Sequence, residues 1–330
     1  MDSPPCVFAL HAAAGEEIAA RSGASFGVLE ERDFEDGEHK TRPMESVRDR
    51  DVFVLSSLYG DASRSVNDRL VRTLLFLGAL RDAGAGRLTA VLPYLCYARK
   101  DRRTKARDPV STRYVARMLE AVGVDRVVTL DVHNLAAFEN AFRIQVDHLS
   151  AGPILVSRLL PYLQASDAVV ISPDTGGIKR ADILRESLER ALKRSVDRGF
   201  MEKRRSCGVV SGDRLVGEVR DRDVVLADDL ISSGGTLARA AIACRQHGAR
   251  RILAVATHAP ISADAGRTLA ASPIERLLVT DTVPVPRPGY SSWDRLEVVQ
   301  TAQLLAEVIR RLHASESLSN LADTFQLTAP

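Results

Sequence analysis

The stretch Val224-Val225-Leu226-Ala227-Asp228-Asp229-Leu230-Ile231-Ser232-Ser233-Gly234-Gly235-Thr236 runs from an apolar segment through two adjacent carboxylates into a loop of small residues. Leu237-Ala238-Arg239-Ala240-Ala241 then reads as a helix. Strand, small-residue loop and helix start together make an anion site. Backbone N–H groups point outward there, and the helix dipole favours negative charge. Gly234 and Gly235 let the backbone close on a phosphate, and the hydroxyls of Ser232, Ser233 and Thr236 add donors. Asp228 and Asp229 would repel a phosphate on their own. They make sense where a divalent cation or ribose hydroxyls lie between them and the phosphate. The plainer reading is a strand end followed by a turn.

Outward from this stretch, strands and helices alternate. Apolar runs at residues 6–10, 26–30, 51–56, 87–93 and 126–131 read as strands, and 16–21, 66–83 and 111–122 as helices, with Ser111 a candidate N-cap after Pro109. Residues 34–40 are polar and turn-like around Asp36-Gly37. Residues 145–150 lead to a domain boundary near Ala151-Gly152-Pro153. A second alternation follows: helix 154–163, strand 168–172, helix 178–193, a basic loop region 199–210 and a connecting hairpin 213–219. Strand 223–227, helix 237–247, strand 251–257, helix 263–270, strand 275–279 and helix 301–313 complete it. This rhythm predicts an α/β fold with parallel sheets, whose ligands bind at the carboxyl ends of strands. The loops after Asp131, Ser172 and Ala227 all leave strands in that sense. The two halves share a rhythm, which suggests two related domains.

Composition narrows the class. The chain has 330 residues, enough for two domains, with 45% apolar and 27% charged residues. A net charge of +2 provides no global basic field for nucleic acid or a membrane surface. The four cysteines are scattered without a C-x-x-C pair, so neither zinc nor a disulfide framework is indicated, and reduced cytoplasmic thiols are expected. No basic leader or membrane-length apolar run is evident. Neither a P-loop motif nor the dinucleotide fingerprint Gly-x-Gly-x-x-Gly occurs.

Several further groups have the residue types that phosphate chemistry needs. His133, two residues after Asp131, could either hold Mg²⁺ or be a hydrogen-bonded pair with it. Asp174, in Pro173-Asp174-Thr175-Gly176-Gly177, lies in a second loop whose glycines allow close approach to oxygens, or in an ordinary turn. The run from Arg99 to Arg107 is a solvated loop, a phosphate-binding segment or a nucleic-acid contact; aromatic interleaving for the last is sparse. Glu202-Lys203-Arg204-Arg205 is a second basic cluster, suited to bringing cations to a transferring phosphoryl group or simply exposed.

Taken together, these stretches resemble the ribose-phosphate diphosphokinase family, the synthases of phosphoribosyl pyrophosphate (PRPP), across nearly the whole chain. The matching motifs are Phe34-x-Asp36-Gly37-Glu38, Tyr97-Ala98-Arg99-Lys100-Asp101-Arg102, Asp131-Val132-His133, Ser172-Pro173-Asp174-x-Gly176-Gly177, Lys203-Arg204-Arg205 and Asp228-Asp229 through Gly235-Thr236. Type I phosphoribosyltransferases share only the last loop and the fold. The resemblance implies two phosphoribosyltransferase-like domains, residues 1–150 on the ATP side and 151–330 on the ribose 5-phosphate side, with the C-terminal segment returning to the first. It implies transfer of the diphosphoryl group of ATP to ribose 5-phosphate for nucleotide biosynthesis. It assigns adenine to Phe34, Asp36 and Glu38 of a neighbouring subunit, and adenine and phosphates to Arg99 with Lys100 and Asp101 nearby. It assigns Mg²⁺ to His133 and Asp174, and ribose hydroxyls and a second Mg²⁺ to Asp228 and Asp229. The 5-phosphate falls to Ser232, Ser233, Gly234, Gly235 and Thr236, and the transferring group to Lys203 and Arg205. A cytoplasmic homo-oligomer, of dimers stacked into a hexamer, is also implied. Two departures stand out. Ser232-Ser233 replaces the commoner Asp-Thr, and Asn134-Leu135 the commoner His-Ala. The alternatives are a phosphoribosyltransferase, which leaves the Phe34 and Arg99 motifs without a task, and a non-catalytic regulatory subunit of the same fold.

Overall fold

The computed structural model describes residues 3–12, 14–206, 209–262, 264–285 and 295–321, with backbone alone for 203–206 and 209–213. These form two compact units, one of residues up to Ser150 together with Ala302–Leu321, the other of Ala151–Thr301. Among the described residues no helix is long and apolar enough to cross a membrane.

The first unit begins β1 (Cys6–Ala9), α1 (Gly15–Ser22), β2 (Ser25–Phe26), β3 (Leu29–Asp33) and β4 (His39–Pro43). It continues β5 (Asp51–Leu55), α2 (Val66–Asp82), β6 (Arg87–Val91), α3 (Ser111–Ala121), β7 (Arg126–Leu130), α4 (Leu135–Ala141) and β8 (Gln145–Leu149). Six strands make an all-parallel sheet in the order β2-β1-β5-β6-β7-β8. Both faces of such a sheet are covered, so a strand such as Val52-Phe53-Val54-Leu55 is apolar throughout and wholly buried. α2 starts at a capping box. Ser65 Oγ accepts from Asp68 N at 3.1 Å, and the Asp68 carboxylate accepts from Ser65 N at 2.8 Å.

The second unit runs α5 (Gly152–Leu163), β9 (Ala168–Ser172), α6 (Ile178–Leu192), β10 (Asp197–Ser206), β11 (Val209–Val216) and β12 (Asp223–Leu230). Then come α7 (Gly235–Gln246), β13 (Arg251–His258), α8 (Ala265–Ala270), β14 (Arg276–Thr280) and β15 (Leu296–Val299). Its sheet has the order β11-β10-β9-β12-β13-β14-β15, parallel except for β10 with β11. The last helix, α9 (Ala302–His313), belongs to the first unit, where it lies against α1.

One plan is built twice. With β11 set aside, each sheet places its second strand on one side of the first and the remaining strands on the other. The anchoring of the central strand also repeats. Asp51 opens β5 and Asp223 opens β12, at 2% and 0% exposure. Arg87, the first residue of β6, donates from Nε to Asp51 Oδ1 at 2.8 Å; Arg251, the first residue of β13, donates from Nε to Asp223 Oδ2 at 3.0 Å. Each guanidinium also reaches a helix carbonyl, Arg87 that of Leu312 on α9 (3.0 Å) and Arg251 that of Tyr162 on α5 (2.5 Å). α9 therefore does for the first unit what α5 does for the second.

Asp223 gives this anchor a pH dependence. Burial pushes its carboxyl up, but the hydrogen bonds from Arg251 and Arg250 outweigh burial and hold it at about 2. A carboxyl depressed below its unfolded value near 3.9 stabilises the fold above that pH and ceases to as pH falls through 2. Wild type should exceed Asp223→Asn by about 2 kcal/mol in denaturant melts at pH 6, and the gap should narrow steadily between pH 4 and 2. A constant gap would remove the assignment.

Four sequence expectations need correction. Residues 26–30 are not one strand. The chain breaks at Gly27, where a Cβ would meet Phe8 Cε1 at 2.4 Å, so β2 joins the main sheet and β3 leaves it. Residues 39–40, read as turn, open β4, which pairs antiparallel with β3. Within the segment 199–210, expected to be a basic loop, residues 199–206 and 209–210 are strand. They largely form β10, paired antiparallel with β11; a ribbon rich in charged residues carries little of the apolar alternation that marks a strand. Ser111 is the first helical residue of α3, not its cap, because the chain stays non-helical through Val110.

Candidate active site

In the second unit, β9 and β12 are neighbours, and the connections leaving them diverge to opposite sides of the sheet. Such a switch point opens a crevice at the strands' carboxyl ends. The loop after β9 enters α6 and the loop after β12 enters α7, so two helix N-termini border it.

β12 extends through Leu230, so Asp228 and Asp229 are strand residues held in register against β13, Asp228 opposite Ala256. Both side chains are largely buried. Arg180, on the first turn of α6, lies 3.6 Å from Asp228 Oδ1 and 3.2 Å from Asp229 Oδ1. Burial first, then the hydrogen bond and charge of Asp229, push Asp228 up to about 8 against the pull of Arg180. A second negative charge, on Asp228, is therefore unfavourable. Ribose hydroxyls, or a cation that takes hard oxygen donors, would relieve it.

The loop beyond is pinned by its backbone. Ile231 N donates to His258 O at 2.9 Å, and Ser262 N donates to Ser232 O at 3.0 Å. Gly234, the N-cap of α7, has φ +73°, and a Cβ there would meet Leu269 Cγ at 2.8 Å, so only glycine fits. The N–H groups of Gly235, Thr236 and Leu237 are those a helix start leaves for a ligand, and Ser232 and Ser233 are exposed beside them. In the companion loop, Asp174 Oδ1 accepts from the N–H groups of Gly176 (2.9 Å) and Gly177 (3.0 Å). These donors therefore serve the loop itself, and Oδ2 is the oxygen the turn does not use.

In the first unit the carboxyl ends of β6 and β7 carry the other candidates. Lys100 Nζ donates to Asp108 Oδ2 at 2.7 Å, which also accepts from Thr104 N and Lys105 N at 3.0 Å each. Lys100 leads the bonds that hold the Asp108 carboxyl well below the usual range. Lys100 thus shapes its own loop. Asp101 accepts from Asn134 Nδ2 at 2.6 Å, and Asn134 Oδ1 accepts from Ala137 N at 3.2 Å, capping α4. That cap joins the basic loop to the segment of His133. His133 is exposed, and Asp131 before it has φ +35°. Arg99 is exposed and makes no ion pair among the described residues.

Phe34, Asp36 and Glu38 occupy the tip of the β3–β4 hairpin. Phe34 N donates to Glu38 O at 2.8 Å, Gly37 N to Phe34 O at 3.1 Å, and Glu38 N to Asp36 Oδ1 at 3.0 Å. The Phe34 ring is 40% exposed, with Arg32 over it at 5.1 Å. Lys203 and Arg205 have backbone in β10, with a register shift between them; their side chains lie outside the described residues.

Among the described residues no group of three or more His, Cys, Asp or Glu is arranged as a metal cage. Mg²⁺ typically binds through one or two carboxylates, with water and substrate phosphates completing its shell. The oxygens of Asp228, Asp229 and Asp174 suit that mode. Arg180 was missed in the sequence. Its signal is its spacing, one helical turn beyond Gly177, which turns it back toward the strand ends.

Comparison with known proteins bears on the family and the fold. Residues 7–123 match the profile of the N-terminal domain of ribose phosphate pyrophosphokinase, and 208–323 that of the phosphoribosyl synthetase-associated domain. The chain is 38% identical to a ribose-phosphate pyrophosphokinase of Pasteurella multocida (strain Pm70) over 306 residues, 92% of this chain and 94% of that one. It is 39% identical to the protein of that name from Caldanaerobacter subterraneus subsp. tengcongensis, over 92% of this chain and 93% of that one. The crystal structure of phosphoribosylpyrophosphate synthetase from Mycobacterium smegmatis superposes with a TM-score of 0.85 at 33% identity, covering 95% of this chain and 100% of that one.

Proposed function

The chain belongs to the ribose-phosphate pyrophosphokinase family, and from that premise we propose the reaction and the residues that carry it. The anomeric hydroxyl of ribose 5-phosphate attacks the β-phosphorus of ATP. The new oxygen–phosphorus bond forms as the bond from that phosphorus to the α-phosphate bridging oxygen breaks. PRPP and AMP result, and the hydroxyl proton passes to solvent.

The observation that carries this reading is the buried Asp228–Asp229 pair, with Asp228 pushed up to about 8, on the strand that leads into the phosphate loop of α7. The pair accepts from the ribose hydroxyls, and the N–H groups at the start of α7, with Ser232, Ser233 and Thr236, bind the 5-phosphate. Ser232 and Ser233 keep hydrogen-bonding groups where the commoner loop has Asp-Thr. In the first unit Arg99 covers adenine and reaches the phosphates, in a loop shaped by Lys100 and tied down by Asp101. Phe34 stacks on the adenine of a neighbouring subunit, and Asp36 and Glu38 accept from it, so the active form is a homo-oligomer. His133 and Asp174 are each assigned one Mg²⁺ contact. When bound, Mg²⁺ supplies neutralisation of triphosphate charge. Lys203 and Arg205 stabilise charge on the transferring group. A cytoplasmic setting suits the buried thiols of Cys6, Cys96 and Cys244.

Incubation with ATP, Mg²⁺ and ribose 5-phosphate should release AMP and PRPP in equal amounts, with neither formed when the sugar is omitted. Absence of AMP with every pentose phosphate tried would overturn the reading. Lys203→Ala should lower kcat by about a thousandfold with the KM for ribose 5-phosphate within about threefold. Near-normal turnover would sink the role given to Lys203.

A further inference from the structure

Among the described residues the β3–β4 hairpin pairs only with itself and joins neither large sheet. A two-stranded ribbon is marginal alone, so its direction is set by what it leans on. It leans on α2. Glu31 and Asp33 are two apart on β3 and share one face. Arg72 Nη1 donates to Glu31 Oε1 at 2.8 Å, and Arg64 Nη1 donates to the same oxygen at 2.6 Å. Both arginines also reach Asp33, Arg64 at 3.4 Å and Arg72 by a shorter bond.

This is more than a solvated surface pair. The Arg72 side chain is 11% exposed. Its planar fork spans the carboxylates of two residues on one strand face, which restrains rotation of the strand as well as its distance from the helix. Arg64 is itself placed by Asp61 Oδ1, which accepts from the N–H groups of Ser63 (2.8 Å) and Arg64 (3.0 Å) ahead of the α2 cap. Asp33 directly precedes Phe34, so the clamp closes one residue short of the tip.

We propose that Arg64 and Arg72 are positioning residues for nucleotide binding: they hold the hairpin on α2 at the angle that presents Phe34, Asp36 and Glu38 to adenine. This rests on the reading that the tip binds the nucleotide. Arg64→Gln with Arg72→Gln should raise the KM for ATP about tenfold and leave that for ribose 5-phosphate within about twofold. Arg72→Lys keeps the charge and loses the fork, and should give a smaller rise in the same constant. The deciding measurement is a cycle with Phe34→Ala. If the arginines act through the tip, their replacement adds little once Phe34 is gone. Full additivity, an unchanged KM for ATP in the arginine variant, or an equal rise in both constants would overturn the proposal. If Phe34→Ala itself leaves the KM for ATP unchanged, the nucleotide reading of the tip has failed and the positioning role falls with it. If Phe34→Ala raises it and the arginine variant does not, only the positioning role fails.

Discussion

Asp229→Ala should lower the rate of PRPP formation by about a thousandfold. The physical reason is the mismatch at the end of β12. Two largely buried carboxyls lie side by side against Arg180, and burial, with the hydrogen bond and charge of Asp229, lifts Asp228 to about 8. That unfavourable charge is what ribose hydroxyls, or a cation, relieve on binding. With alanine at 229 the hydrogen bond and charge of Asp229 are gone, and Arg180, 3.6 Å from Asp228, faces one carboxyl instead of two. The variant should therefore be at least as stable to heat as wild type, by up to about 1 kcal/mol, while losing turnover. Asp229→Asn keeps hydrogen bonding without charge and should fall between the two. A coupled PRPP assay and a melting curve on the same samples decide the matter. Activity within tenfold of wild type, or a large loss of stability, would show the pair to be structural.

Asp51→Ala should have the largest effect on stability, about 3 kcal/mol, or a fall in Tm of roughly 6–12 °C. Asp51 receives bonds from Arg87 and lies 2.8 Å from His313 Nδ1, while Arg87 holds the Leu312 carbonyl of α9. Removing the carboxylate strands a guanidinium and loosens the docking of α9 together. Asp51→Asn keeps the shape and should cost less. A change under 1 kcal/mol for the alanine variant would mean that α9 is held by apolar packing alone.

Which parts were legible in the sequence follows from how each residue is used. Strands β5 and β12 stood out because both faces are buried and, after the opening aspartate, residues 52–55 and 224–227 are an unbroken apolar run. The α7 loop stood out because phosphate loops require glycine and small hydroxyl residues at a helix start, and Gly234 has the backbone angle that explains it. The β10–β11 ribbon was not legible, since residues such as Arg198, Glu202, Lys203 and Arg205 do not advertise a strand. Arg180 on α6 looks like any solvated helix arginine until the helix is placed over Asp229. The bond from Lys100 to Asp108, which folds the basic loop back on itself, joins residues eight apart and is encoded by no periodicity.

The doubled Asp–Arg–helix anchor has a consequence for how the protein comes into being. The second unit owns its anchoring helix, α5, at its front, and residues 151–301 are one unbroken piece. A nascent chain can close that unit as soon as those residues leave the ribosome. The first unit is synthesised earlier but needs α9, and Leu312 is made more than 150 residues after Ser150. Until then Asp51 and Arg87 lack their helix, and the face of α1 that receives α9 is bare. Synthesis order and completion order are thus reversed between the two units, and the half that is translated first is completed last.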